Sequence, residues 1–298
     1  MLIKMQVGEQ DRGELQVNVT DSDNAPIRDA RVTISEPETA INPNSPIERL
    51  ETDVSGQTQI VDLNTPPLEY SLNENNENMP YANYNIQIEA PGYETENISN
   101  VEILPDSLSL QDVRMRRREG EQVENIDIDP HTLYAEYPEK IPEDEIKDVN
   151  EPGEIVLSRV VIPEYVVVHN GTPSSNARDY YVTYKDYIKN VASSEIYATW
   201  PRATIEANVL AIMSFTLNRV YTEWYRNKGY DFTITSSTAY DQKWIYGRNI
   251  FQSIDEVVDE IFDQYLSRPD VRQPILTQYC DGKRVTCPNW LSQWGSCN

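Results

Sequence analysis

Between Gly13 and about Arg118, apolar residues recur at every second position in short runs separated by turn signals. Leu15, Val17 and Val19 alternate with polar neighbours up to the turn Asp21-Ser22-Asp23-Asn24-Ala25-Pro26, and Val32 and Ile34 repeat the pattern. Tyr84, Ile86 and Ile88 precede a second turn, Ala90-Pro91-Gly92-Tyr93, and Val101 and Ile103 follow it. A period of two buries one face of each strand and wets the other, which predicts an all-β sandwich. No helical periodicity interrupts it.

The pattern then changes twice. Residues 119–155 are rich in Glu, Asp and Pro and poor in apolar side chains, so they are expected to form an extended acidic linker. From residue 156 to 298 strands and helices mix, which predicts an α+β domain. Val160 to Val168 and Tyr180 to Tyr184 read as strands. Thr199-Trp200-Pro201 opens a long helix, with Thr199 as cap and Pro201 in the first turn. Ala203, Ala207, Leu210, Ala211, Ser214, Leu217, Tyr221 and Trp224 continue it at three-to-four spacing. A second helix is expected from Ser253, with Glu256 completing a capping box and Ile254, Val257, Val258, Ile261, Phe262 and Tyr265 as its buried stripe. The expected organisation is therefore a 1–12 leading segment, a 13–118 sandwich, a 119–155 linker and a 156–298 α+β domain.

Charge narrows the partners. The 298 residues carry a formal net charge of −24 and a pI near 4.4. That balance excludes a nucleic-acid binder, which needs cations to displace phosphate counterions, and gives no attraction to anionic lipid. No run reaches the ~20 apolar residues of a membrane span. Met1 to Gln10 holds no extended apolar core or small-residue cleavage site, so no standard secretory signal is expected in it. The three cysteines lie within the last 19 positions, and the two histidines, His131 and His169, are too few for a histidine-rich metal site.

The first domain resembles a carboxypeptidase-regulatory or Cna-B-like module. Gly13-Glu14-Leu15-Gln16-Val17, Ala25-Pro26-Ile27-Arg28-Asp29-Ala30-Arg31-Val32, Thr52-Asp53-Val54-Ser55-Gly56 and Ala90-Pro91-Gly92-Tyr93 stand in that family's order. The resemblance implies a rigid spacer or adhesive without chemistry. Lys–Asn crosslinks found in such modules are not expected, because the segment contains no lysine.

The second domain resembles the SpoIID/LytB family, stage II sporulation protein D-like. Tyr187-Ile188 with Ser194-Glu195, and Trp200-Pro201 before a helix, match its hallmark. Asp241-Gln242 with Tyr246-Gly247, Glu256-Val257-Val258-Asp259-Glu260 and Leu291-Ser292-Gln293-Trp294-Gly295-Ser296 follow in family order. The resemblance implies a lytic transglycosylase that cuts the MurNAc–GlcNAc bond of peptide-stripped glycan strands and leaves a 1,6-anhydro end. One carboxyl group suffices, whereas an ordinary glycosidase uses two. Glu195 aligns with the catalytic glutamate; Val191, Ala192, Ile196 and Trp200 would give it a partly apolar setting that keeps the carboxyl protonated near neutrality. Gln242, Tyr246, Gln293 and Trp294 are the candidate sugar-binding residues, with Trp244 a second stacking candidate. The family's helix carries a Lys and an Arg where this chain has Glu206 and Met213. Arg219 and Arg248 are the candidate substitutes.

Cys280 and Cys287 flank a six-residue polar loop with a glycine, and a disulfide between them is the expected pairing, leaving Cys297 unpaired or intermolecular. A zinc site, known in some family members, needs a third thiolate from Cys297 and a distant histidine. No metal or cofactor is assigned. The first functional expectation is thus a peptidoglycan-acting enzyme displayed on a β-sandwich. The alternative is a non-catalytic structural or glycan-binding component of a spore surface, filament or phage-like particle, with self-assembly. Both expectations point to the cell envelope, a spore or an extracellular particle.

Overall fold

The computed structural model describes residues 10–37, 45–120, 123–135, 138, 141 and 156–297. The chain is β-rich and divides into two compact units. The first runs to Pro130 and also takes in Tyr197–Thr199 and Tyr246–Ser253; the second holds His131–Ile196, Trp200–Ile245 and the residues from Ile254 on.

The first unit begins with β1 (Asp11–Asp21), β2 (Arg31–Ser35), β3 (Pro46–Glu51) and β4 (Val61–Thr65). A single helical turn, α1 (Glu69–Leu72), precedes β5 (Ala82–Glu89), β6 (Thr95–Ile103), β7 (Leu108–Met115) and β8 (Val123–Asp127). One sheet has the order β3-β2-β5-β6-β8; in the other, β1 lies between β4 and β7. Alternation does what the sequence pattern implies: Leu15, Val17, Val19, Val32, Ile34, Tyr84, Ile86 and Ile88 are all buried. Gly13 occupies a buried position in β1 where a Cβ would stand 2.2 Å from the Leu104 carbonyl oxygen, so only glycine fits. A bulge in β6 sets Ile98 opposite Ile86 but Val101 opposite Tyr84. The extra residue lets Ile98 and Val101 both reach the core.

Strand β8 lies inside the span expected to be linker. It pairs in parallel with β6 from Thr95↔Val123 to Ser99↔Asp127. Its side chains are exposed or half-buried, so its acidic composition carried no strand signal. An edge strand of this kind is held by its main chain. Residues 142–155 of the same span lie outside the described residues.

The second unit starts with β9 (Tyr165–His169) and β10 (Asp179–Thr183), which pair antiparallel. The expected strand from Val160 is confined to Tyr165 onward. Two helices follow, α2 (Tyr184–Glu195) and α3 (Arg202–Tyr221), and β11 (Ile234–Thr235) adds to β9 in parallel. Helix α2, which the sequence pattern did not single out, is capped by the Thr183 hydroxyl accepting the Asp186 N–H. Helix α3 is buried around most of its circumference, as befits a central helix. Its N-cap is Pro201, without a side-chain cap; Thr199 belongs to the first unit, where its hydroxyl donates to Ser71.

The chain then contributes β12 (Ile250–Phe251) to the first unit, antiparallel to β7 through Ile250↔Leu110 and Phe251↔Ser109. Helix α4 (Gln252–Ile261) buries Ile254, Val257 and Val258. Ser253 lies within its first turn and donates to the Ala198 carbonyl, so the expected capping box does not form. The two-residue strands β13 (Tyr279–Cys280) and β14 (Leu291–Ser292) pair in parallel, and α5 (Gln293–Cys297) closes the described chain.

Candidate functional site around Glu195

Glu195 is the last residue of α2 and is fully buried. A helix ends with carbonyls that lack intrahelical partners, and these need partners from elsewhere. Thr132 N–H donates to the Ser194 carbonyl at 3.0 Å, and Gln293 Nε2 donates to the Glu195 carbonyl at 3.2 Å. His131 Nδ1 accepts from Leu133 N–H, which puts the ring proton on Nε2, 3.3 Å from the Ile196 carbonyl. Two pieces of chain distant in sequence, residues 131–132 and Gln293, thus finish this helix and fix where Glu195 points.

The carboxyl group is bonded on both oxygens. Lys243 N–H donates to Oε1 at 2.7 Å, and the Tyr279 hydroxyl donates to Oε2. Burial and the negative end of the helix dipole work against charge on this group, while the two donors work for it. Two buried polar atoms close to this frame have no protein partner among the described residues: Gln293 Oε1 and Thr132 Oγ1. An unfilled buried acceptor or hydroxyl is the kind of group that water or a polar ligand completes.

Behind the carboxyl lies a second polar layer. Gln242 Nε2 donates to the Ile212 carbonyl at 3.0 Å, and its Oε1 accepts from Tyr187 at 3.1 Å with Thr216 Oγ1 2.8 Å away. Burial, reinforced by the Asp241 and Glu195 carboxylates, pushes the Tyr187 phenol well above its ordinary range, so it remains a donor. Asp241 Oδ1 accepts from Arg219 Nε at 2.7 Å, and Asp241 Oδ2 accepts from Thr235 N–H and Oγ1 and from Tyr225. The Arg219 guanidinium is packed against the rings of Phe215, Trp224 and Tyr225.

The structure therefore brings Glu195, Gln242 and Gln293 into one buried frame. Trp294 is also buried and packs its ring 5.0 Å from Trp200; Trp244 is buried against Tyr180. Gln242, Gln293 and Trp294 face inward, so sugar contact by any of them requires this region to open. Tyr246 belongs to the first unit, where its hydroxyl donates to Glu124 at 3.2 Å. Met213 is fully buried. Arg219 is committed to Asp241, and Arg248, in the first unit, to Glu102. Cys280 and Cys287 are joined by a disulfide, and Cys297 is outside it. Among the described residues no group of three or more His, Cys, Asp or Glu is placed to hold a metal, and no helix is long and apolar enough to cross a membrane. An open hollow of about 480 Å³ in the second unit, lined by Ile162, Pro163, Tyr184, Lys189 and Phe262, does not include Glu195.

Sequence reasoning missed Tyr279, the main chain of Lys243 and the 131–133 segment. Tyr279 had one usable signal, its place beside Cys280 at the mouth of the expected disulfide loop.

No family model matches the chain, and no curated protein matches it. Among solved structures it is similar to catechol 1,2-dioxygenase of Acinetobacter radioresistens at 13% identity and a TM-score of 0.27, over 40% of this chain and 58% of that one. The GBS52 minor pilin of Streptococcus agalactiae matches at 16% identity and a TM-score of 0.26, over 38% and 48%. The TIE protein of Bacillus anthracis matches at 13% and 0.23, over 36% and 17%. The chain thus spans less than two thirds of each of these proteins.

Proposed function

We propose that the second unit acts on the glycan strands of peptidoglycan, as its resemblance to the SpoIID/LytB family implies, with the first unit as a carboxypeptidase-regulatory-like spacer. The observation that supports this reading is convergence. Segments separated by up to about a hundred residues are joined by direct hydrogen bonds around Glu195: Tyr187 to Gln242, Lys243 N–H to the Glu195 carboxyl, and Gln293 to the Glu195 main-chain carbonyl.

In this reading Glu195 gives its proton to the glycosidic oxygen as the bond to C1 breaks. The resulting carboxylate then takes the proton of the sugar's C6 hydroxyl while O6 closes on C1. The products are a shortened strand and a 1,6-anhydro end, with no water consumed and the carboxyl restored. No second catalytic carboxylate is needed. Asp241, the other buried acid of the frame, is fully engaged with Arg219, Thr235 and Tyr225. Gln293 Oε1, the unfilled acceptor, would take a sugar hydroxyl once this region opens. The test is release of anhydro-muropeptides from amidase-treated sacculi by the purified chain, lost in Glu195→Gln.

Two observations favour the alternative, a structural or glycan-binding component of an envelope, spore or particle. Glu195 is fully buried, and an apolar core residue, Met213, stands at the family's arginine position. Retained binding to stripped sacculi without anhydro products would establish that reading.

A further inference from the structure

A carboxyl group that must meet a glycosidic oxygen cannot work while buried, and one of the two groups bonded to the Glu195 carboxyl is Tyr279. Its hydroxyl is bonded to Oε2, and its ring is buried. Tyr279 is itself held by little secondary structure. Its strand has two residues, paired as Tyr279↔Leu291 and Cys280↔Ser292, with Leu291 N–H donating to the Gln278 carbonyl and Trp294 N–H to the Asp281 carbonyl on either side. The next residue is Cys280, whose bond to Cys287 closes a short loop. Within that loop Asp281 accepts the N–H groups of Lys283, Arg284 and Val285, and the Arg284 guanidinium donates to the carbonyls of Leu133, Tyr134 and Ala135. Those carbonyls follow directly on His131 and Thr132, which finish the Glu195 helix. Tyr279, the loop and the 131–135 segment are thus one connected set of contacts around the carboxyl and the end of its helix.

We infer that this set of contacts covers the carboxyl as a redox-controlled lid: reducing the Cys280–Cys287 bond releases Tyr279 and opens the Glu195 carboxyl. The inference rests on the reading of Glu195 as the acid and names how that same site is regulated. Access for a reductant exists, since Cys287 is half-buried and Gly282, Lys283 and Arg284 are exposed, whereas Cys280 is buried. A thiolate of a dithiol reductant attacks Cys287 Sγ, the S–S bond breaks, and Cys280 leaves as a thiolate that takes up a proton. The second thiol of the reductant then attacks the mixed disulfide, leaving Cys287 as a thiol and the reductant as a disulfide. Two electrons and two protons pass to the protein. The cross-link between the end of β13 and the stretch leading to β14 is then gone, which leaves non-covalent contacts, a short ladder among them, to hold the segment of Tyr279. The unfilled Gln293 Oε1 and Thr132 Oγ1 become available to the incoming ligand.

The experiment reads exposure of the carboxyl without depending on activity. The full chain is treated with a water-soluble carbodiimide and a small amine, with and without dithiothreitol, and modification of Glu195 is measured by peptide mass spectrometry. Modification is expected to rise at least tenfold on reduction, and to be equally high without reductant in the double variant Cys280→Ser/Cys287→Ser. Asp241, buried and bonded to Arg219, is the internal control and should stay unmodified. Equal Glu195 modification in oxidised and reduced protein overturns the lid, as does joint modification of Glu195 and Asp241, which signals unfolding. Anhydro-muropeptide release is assayed on the same samples. Opening without release upholds the lid and counts against the catalytic reading, so the two failures are distinguishable.

Discussion

Arg219 Nε lies 2.7 Å from Asp241 Oδ1, and neither side chain has appreciable contact with solvent. Removing one partner of such a pair leaves an uncompensated buried charge, whereas replacing both need not. Asp241→Ala is therefore expected to lower stability by about 3–5 kcal/mol, and Arg219→Met/Asp241→Leu by distinctly less. Urea denaturation followed through tryptophan fluorescence measures both. Equal losses would mean that the bonds of Asp241 to Thr235 and Tyr225, rather than the ion pair, carry the effect.

Glu195→Gln is nearly isosteric. The amide oxygen can keep the Lys243 N–H bond, and the amide nitrogen can donate to the Tyr279 oxygen once that hydroxyl turns. Stability should change by less than about 1 kcal/mol. Loss of the proton donor should lower any glycan cleavage by roughly 10²–10⁴-fold. Activity within a few-fold of the parent removes Glu195 from the mechanism.

In the first unit, Glu96 is buried opposite Glu124 on the neighbouring strand. Burial, then the nearby Glu124, offset by Arg116 and with Glu94 adding to the rise, pushes its carboxyl up to about 7. The folded chain keeps this proton at a pH where the unfolded chain has released it. The stabilisation is full at acid pH and is lost as pH rises through about 7, on the order of 1–3 kcal/mol. Glu96→Gln should flatten that fall, measured as the change in Tm between pH 5 and pH 8. An unchanged slope would assign the fall to other groups.

Phe251 is fully buried in the first unit, although more than a hundred residues separate it from β7, its partner strand. Phe251→Ala should cost about 3–5 kcal/mol. It should also speed hydrogen exchange at the β7 amides near Ser109 and Leu110. Unaltered protection there would mean that β7 does not depend on β12.

Glu102 explains part of what the sequence hid. It follows Val101 in β6, so alternation assigns it to the wet face, yet it is buried. Asn249 bonds both its N–H and its carbonyl, and Arg248 Nη1 lies 2.8 Å from its carboxyl. Nothing near Glu102 in the sequence announces that cover. The same holds for β8, an acidic edge strand whose order comes from main-chain pairing, and for α2, where hydroxyls, amides and Glu195 are buried by partners far along the chain.

Within the first unit, the sequence by itself determined the strands of the core, because alternation at Leu15, Val17, Val19, Val32, Ile34, Ile86 and Ile88 is a local property of extended chain and the hydrophobic effect needs no particular partner. In the second unit it determined the existence of α3 and α4 and placed Glu195, Gln242 and Gln293 on separate segments worth comparing. Only the tertiary structure decided that these three meet and that the Tyr279 hydroxyl is bonded to the carboxyl. It also decided that a piece of the C-terminal half completes the first unit's sheet. Hydrogen bonds and buried ion pairs are directional and short-ranged, so they exist only once the fold has brought distant residues within about 3 Å. No pattern along the chain encodes which residues those will be.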